Sequence, residues 1–453
     1  MNYKDAVEKI KNIETRYDVM SIKVKGVSVW PFIRIKLTDK MFDEGTEAQY
    51  SGRSGMKKVL STLFYYNPLR FFKSSKYWIF SGFERRKQVG DKAVMRVSGG
   101  IVEIFPSARI IEKPSAQQHS FPKDYIKERN VISESWFLLA VHLRMFLLKP
   151  FKLNVQNEVL LNQIIAECGV SFNVQSVLRQ LVSQRVVMSR VLSLSQKPNK
   201  VFIECPYPVM GYVWALHNKG IEVVEMQHGV LNNQHYAYNS LYHSSILYPD
   251  KVCVFGDVEY QYLMSDESHY CKNVIKTGLY FMEVAEKSFM EDPFAKWRGE
   301  YESIVLVAGQ TDADTELTEY VNLSAKEMSN VLFLYVPRHV DDVINVSGDN
   351  VLLCPGVNIY EYMKWCDIHV TVTSTTCLEC QYFHVPTIFY DVDNKSSSYY
   401  GAVLTEDNGV LYTKSHHDFP EAYKKVKSGE YKYKEIFSRN TTETISGVLN
   451  DKN

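Results

Sequence analysis

The sequence has no apolar run long enough to cross a bilayer. The longest, Trp136 to Leu148, contains His142 and Arg144, and a spanning helix needs about 20 apolar residues. The opening Met1-Asn2-Tyr3-Lys4-Asp5-Ala6 carries no signal-peptide pattern. Cysteine is sparse, eight in 453 residues and scattered, which excludes a disulfide framework in a chain this size. Cys377 and Cys380 form one CxxC. With no second pair to complete a zinc site, they read as two core thiols. Net charge is zero, and there are no internal repeats. These absences predict a cytoplasmic globular protein with no nucleic-acid partner. At this length one hydrophobic core is too few, and two domains are expected.

What is present is aromatic, with thirty Tyr and twenty-three Phe, enough for a large core and for sugar-stacking surfaces. The zero net charge hides an asymmetry. Residues 51–100 hold eleven Lys or Arg against Glu84 and Asp91. The part from Lys58 to Phe83 interleaves aromatic and basic residues, which suits the inner face of an anionic membrane. Trp78 is expected in a buried first strand. Lys73, Lys76, Arg85 and Arg86 are expected to face lipid or to line a cleft just beyond that strand.

The pattern along the chain is α/β. Residues 1–55 read as a small appendage: a helix from Tyr3 to Ile13, a hairpin from Ile22 to Trp30, and a helix opened by Pro31. Residues 56–245 read as one Rossmann-like domain. It has strands at Tyr77–Gly82, Val201–Glu204 and Val223–Gln227, and mainly helix from Val131 to Leu194. Residues 246–425 read as a second, opening at Lys251–Gly256, with strands at Ser303–Ala308, Val331–Val336, Ile368–Val372 and Val385–Tyr390. Residues 426–453 are a helix and tail. The class expected is GT-B-like, two Rossmann-like domains facing across a cleft.

Three strands end in polar groups, where an open parallel sheet binds its ligands. Ser374, Thr375 and Thr376 lie between a strand and a helix, where hydroxyls and amides suit a phosphate. Glu379, one turn on, is placed for ribose hydroxyls or, alternatively, for a capping box with Thr376. Arg338 and His339 suit a departing phosphate, with an ion pair to Asp341 or Asp342 as the plain alternative. His228 precedes Gly229 and can serve as a base toward a sugar hydroxyl. Glu204 is the carboxylate alternative. His235 and Tyr236 are placed to shape an acceptor pocket. Asp312 and Asp314 look like a metal motif only by spacing, so no metal or other cofactor is expected.

These motifs resemble those of bacterial surface-polysaccharide glycosyltransferases of the GT-B type. In outline the chain is similar to the Kdo transferases of capsule and O-antigen synthesis and to teichoic-acid glycerophosphotransferases. The resemblance rests on Gln227-His228-Gly229, on Arg338-His339 at a histidine-proline element, and on Thr373-Ser374-Thr375 at a paired-serine element. Val340 stands where that element has proline, and threonine takes one serine position. The resemblance implies inverting transfer from a nucleotide-sugar donor to a glycan or lipid-linked glycan acceptor. The alternatives are polyol-phosphate transfer from a CDP-alcohol, epimerisation of a nucleotide sugar, and a non-catalytic glycan-binding protein.

Overall fold

The computed structural model describes residues 3–43, 59–82, 86–114, 126–401, 403–430 and 435–450. The chain divides into two compact units. The first comprises residues 1–255, 259–280 and 440–453; the second comprises 256–258 and 281–439.

The first unit is built on seven parallel strands: β1 (Tyr77–Gly82), β2 (Arg109–Lys113), β3 (Val131–Ser133), β4 (Lys200–Ile203), β5 (Glu222–Met226), β6 (Lys251–Val254) and β7 (Val274–Lys276). Their order in the sheet is β7-β6-β5-β4-β1-β2-β3. A parallel sheet is covered on both faces, so its central strands are nearly continuous apolar runs. In β1, Trp78 and Phe80 pack with Phe137, Met188 and Tyr212. Ile79, pointing the other way, packs with Ile101, Phe202 and Val448.

Helices Val174–Leu194 and Met210–His217 cover the Trp78 face and approach closely. A Cβ on Gly211 would stand 2.3 Å from the Leu181 carbonyl oxygen.

The N-terminal segment packs into the same unit. Trp30, Phe32 and Ile33 are fully buried in one cluster with Leu178, Met210 and Trp214. A buried ion pair, Arg34 Nε to Glu14 Oε1 at 2.7 Å, anchors it. Arg34 also donates to Asn239 Oδ1 (2.8 Å) and to the Tyr236 carbonyl. Glu14 Oε2 accepts from Leu241 N at 3.2 Å.

The second unit is a six-stranded parallel sheet: β8 (Ser303–Ala308), β9 (Val331–Val336), β10 (Val351–Leu353), β11 (Ile368–Thr371), β12 (Thr387–Tyr390) and β13 (Val410–Thr413). Its order is β10-β9-β8-β11-β12-β13. Both units therefore reverse strand order in the Rossmann manner, at β1/β4 in the first and at β8/β11 in the second. The class expected from the sequence, GT-B-like with two Rossmann-like α/β units, is the one observed.

Several details differ from the sequence reading. Lys251–Val254 does not open the second sheet; it pairs with β5 as β6 of the first. A parallel strand joins whichever sheet has an open edge beside it, which periodicity does not reveal. Val131–Ser133 is a strand rather than the start of a helix. Arg86 neither faces lipid nor lines a cleft. It is buried on Glu112 (2.6 Å) and Glu128 (3.0 Å). Arg85 lies outside the described residues, and Trp78 is fully buried as expected. The C-terminal helix Thr441–Asn450 belongs to the first unit, where Lys200 Nζ donates to the Val448 carbonyl (2.8 Å).

Candidate functional site

In the second unit the strand order reverses between β8 and β11, so the crevice for a ligand lies beyond their carboxyl ends. Gln310 follows β8 by two residues and clasps the loop after β11. Its Oε1 accepts from Thr373 N at 2.8 Å, and its Nε2 donates to Thr373 Oγ1. Tyr400 OH holds the Thr373 carbonyl at 2.9 Å. The backbone before Gln310 is tightly confined. A Cβ on Gly309 would meet Asp314 Oδ1, Pro337 Cα and Tyr335 Cε1, each at 3.0 Å. Asp314 is occupied in this packing, its Oδ1 accepting from Gln310 N and Tyr335 OH, both at 2.7 Å.

The clasp leaves Ser374 and Thr375 half-buried at the crevice. Thr376 turns inward: its hydroxyl lies 3.0 Å from Nε2 of His369, whose Nδ1 lies 3.1 Å from Thr387 Oγ1. Burial pushes the His369 pKa down to about 3, so the ring is neutral and the Thr376 hydroxyl serves the core. Glu379 does not complete a capping box with Thr376. Thr375 is the residue before the helix and makes no side-chain cap bond. Glu379 is 1% exposed and accepts from Tyr360 OH at 3.0 Å. Arg338 and His339 follow β9 and are exposed, with His339 N bonded to Asp342 Oδ2 at 2.7 Å. They share this sheet's carboxyl edge with Ser374, from the strand on the opposite side of β8.

In the first unit the reversal falls at β1 and β4. Glu204 sits there, 1% exposed. Its Oε2 accepts from Ser81 Oγ (2.7 Å) and Gly82 N (3.4 Å), and its Oε1 from Ser98 Oγ (2.8 Å) and Ser98 N (3.2 Å). Four donors on one carboxylate pin the loop after β1 to the segment before residue 99. His228, after β5, is half-buried. Its Nε2 lies 3.5 Å from Tyr207 OH, and Arg96 holds its carbonyl at 3.2 Å. Tyr207 also meets His235 and Tyr238, with ring centroids 6.1 and 6.3 Å away. His235 stacks on Tyr236 at 5.5 Å. Burial brings the His235 pKa down to about 4, and its Nδ1 accepts from Ala237 N (3.2 Å). It is a neutral ring at pH 7.

The sequence reading missed Gln310, Tyr400 and Tyr207. Gln310 was within reach, since it stands at a strand end beside Gly309. The other two come from elements whose placement beside the edge only the tertiary fold supplies. Among the described residues, one group could chelate a metal. Glu327 Oε1 lies 3.0 Å from His417 Nδ1 and 3.6 Å from His416 Nε2, and the group shares no residue with the β8/β11 edge.

No protein-family model and no curated protein matches the sequence. Solved structures do. S. aureus MnaA in complex with UDP aligns at a TM-score of 0.51 with 12% identity, over 83% of this chain and 96% of that one. A putative UDP-N-acetylglucosamine 2-epimerase from Listeria monocytogenes aligns at 0.50 with 9% identity, over 84% and 98%. The fold is similar to theirs. The match spans both units. It also overturns the likeness to Kdo transferases and glycerophosphotransferases, and with it the reading of sugar transfer to a growing surface glycan. Short histidine-glycine and hydroxyl motifs mark the ends of Rossmann strands generally and do not separate one chemistry from another.

Proposed function

We propose that the protein acts on a nucleotide sugar and rearranges the sugar itself, as an epimerase does, with no glycan acceptor. The observation that carries this reading is the Gln310–Thr373 clasp at the β8/β11 reversal. It holds Ser374 and Thr375 half-exposed where a Rossmann sheet takes its phosphate. The fold similarity to a putative UDP-N-acetylglucosamine 2-epimerase and to UDP-bound MnaA supports the choice of rearrangement over transfer and makes a UDP-linked amino sugar the first substrate to try. In this reading Ser374 and Thr375 bind phosphate, Arg338 and His339 add donors on the same edge, and Glu379 acts on the ligand only through the helix that carries it. No metal is required. Epimerisation breaks and remakes a bond to hydrogen at a stereocentre, so it needs a group that can take and return a proton. His228, with Tyr207 beside it, is that group in the first unit, and Glu204 positions the neighbouring loops.

Incubation with UDP-N-acetylglucosamine in D2O, followed by NMR, tests the reading. A second epimer carrying deuterium at the inverted carbon, formed with no acceptor present, is the expected result. Neither epimer nor exchange from any UDP-, CMP-, CDP- or GDP-sugar would contradict it.

No helix among the described residues is long and apolar enough to cross a membrane. We propose an anionic membrane surface as the partner of the first unit's basic, aromatic face. The support is the charge and exposure of Val59–Lys76, where Phe64, Leu69 and Phe72 are exposed beside Arg70 and Lys73.

A further inference from the structure

The first unit contains an apolar cavity of about 350 Å³ lined by Phe71, Phe72, Trp136, Phe137, Val187 and Val191 among others. Its walls come from the turn Pro68–Phe72, helix Ser135–Leu147 and helix Val174–Leu194. The volume falls in the usual range for small-ligand pockets, about 300–1,000 Å³. The surface around it is also apolar. Phe72 is 71% exposed, and Phe64, 70% exposed, packs edge-on against Trp136 at 5.3 Å. Trp136, Ala140, Leu143 and Leu147 follow at spacings of four, three and four on one helix face, and Leu143 and Leu147 are exposed. A contiguous exposed patch of this kind marks an interaction site.

Charge identifies the partner. Ile132 and Ser133 also line the cavity and are followed by the buried Glu134; the other stretches around it, residues 59–82, 135–157 and 169–203, contain no Asp or Glu. They carry Arg70, Lys73, Lys76, Arg144, Lys149, Lys152, Arg179, Arg185, Arg190, Lys197 and Lys200. Of these, Lys152 pairs with Glu158 and Lys200 with Glu222. Arg144 lies one turn beyond the cavity residue Ala140, and Arg190 lies between Val187 and Val191. Burial, and then the Arg190 charge, lower the Arg144 pKa. Arg144 Nε is buried with no hydrogen-bond partner among the described residues. An unpaired arginine nitrogen on a cavity helix, with cations but no carboxylate on the turn and the two helices that wall the hole, calls for an anion that carries a hydrocarbon chain.

We infer that this cavity receives one hydrocarbon chain of an anionic phospholipid from the bilayer, with Arg144 and Arg190 on its phosphate. The inference rests on the membrane reading and deepens it from surface contact to insertion of a single lipid. Two measurements separate them, both on the full chain. Vesicle sedimentation reads docking. Titration with monomeric lysophosphatidylglycerol, below its micellar concentration, reads the cavity through Trp136 fluorescence, with Trp136→Phe as the control that removes the signal. One lipid per chain is expected. Ala140→Phe, which fills the cavity, should abolish monomer binding yet leave sedimentation with phosphatidylglycerol vesicles intact. Arg144→Gln with Arg190→Gln should weaken lysophosphatidylglycerol by at least about tenfold. The same pair should lower vesicle partitioning by roughly fivefold per charge. Sedimentation without saturable monomer binding would sink the cavity inference and spare the membrane reading. Loss of both would sink both. Equal binding of lysophosphatidylcholine would overturn the phosphate assignment to the arginines. A stable dimer that buries Trp136, with no vesicle binding, would show that the occupant is a second copy of the chain.

Discussion

Gln310 and Thr373 exchange two hydrogen bonds, and the hydroxyls that follow owe their position to that exchange. Replacing Ser374 and Thr375 together with alanine should lower nucleotide affinity by about 1–3 kcal/mol, the worth of hydrogen bonds to a charged group. The melting temperature should barely move. Unchanged heats in a calorimetric titration with UDP would remove this loop from the site. Glu225 makes a different kind of prediction. It is fully buried, and burial raises its pKa to about 7 although Tyr238 and Tyr270 each donate to it at 2.6 Å. The fold thus favours the protonated acid. That stabilisation is complete below the usual carboxylate pKa of about 4.5 and is lost as pH rises through about 7. Every tenfold gain in proton affinity on folding is worth about 1.4 kcal/mol. Glu225→Gln should therefore flatten the fall in melting temperature between pH 5 and 8. Parallel curves for the two proteins would refute the assignment. Neither Glu225 nor His369 stood out in the sequence. Each sits inside a strand, and only tertiary burial gives it an unusual pKa.

At the scale of elements, the ion pair between the first two helices holds the 232–241 loop. Arg34 and Glu14 are 1% and 0% exposed, and removing one partner leaves a buried charge alone. Glu14→Gln should destabilise the protein by about 3–5 kcal/mol, read by denaturant unfolding. A loss under about 1 kcal/mol would mean the charge finds water. Gly211→Ala should also be costly, since the new methyl meets the Leu181 carbonyl on the facing helix. Overpacking costs about 1–3 kcal/mol, and an undiminished melting temperature would show that the two helices slide apart freely.

These elements also show how far the sequence could be read. Central strands such as Ser303–Ala308 and Val331–Val336 were visible because burial on both faces demands unbroken apolar runs. Edge strands such as Val351–Leu353 and Val274–Lys276 were not, being three residues long and partly exposed. The hydroxyl loop after β11 was legible because it interrupts an apolar run. Its division into outward Ser374 and Thr375 and inward Thr376 depended on His369, two strand residues and a turn away.

For the whole molecule, the repeated strand order says that two Rossmann sheets were built on one chain, each with a reversal that can hold a ligand. The second presents hydroxyls at that reversal; in the first, Glu204 ties the neighbouring loops together. On the proposed reading the second unit binds the nucleotide and His228 handles the proton. His228→Ala should cut turnover by about 10²- to 10⁴-fold with UDP affinity nearly unchanged. A loss of affinity instead would make His228 a binding group. The most direct test of the central claim is proton NMR of UDP-N-acetylglucosamine with the protein in D2O and no acceptor. The account predicts a second epimer with deuterium at the inverted carbon. An unaltered spectrum, paired with product formation only when a glycan acceptor is added, would contradict it.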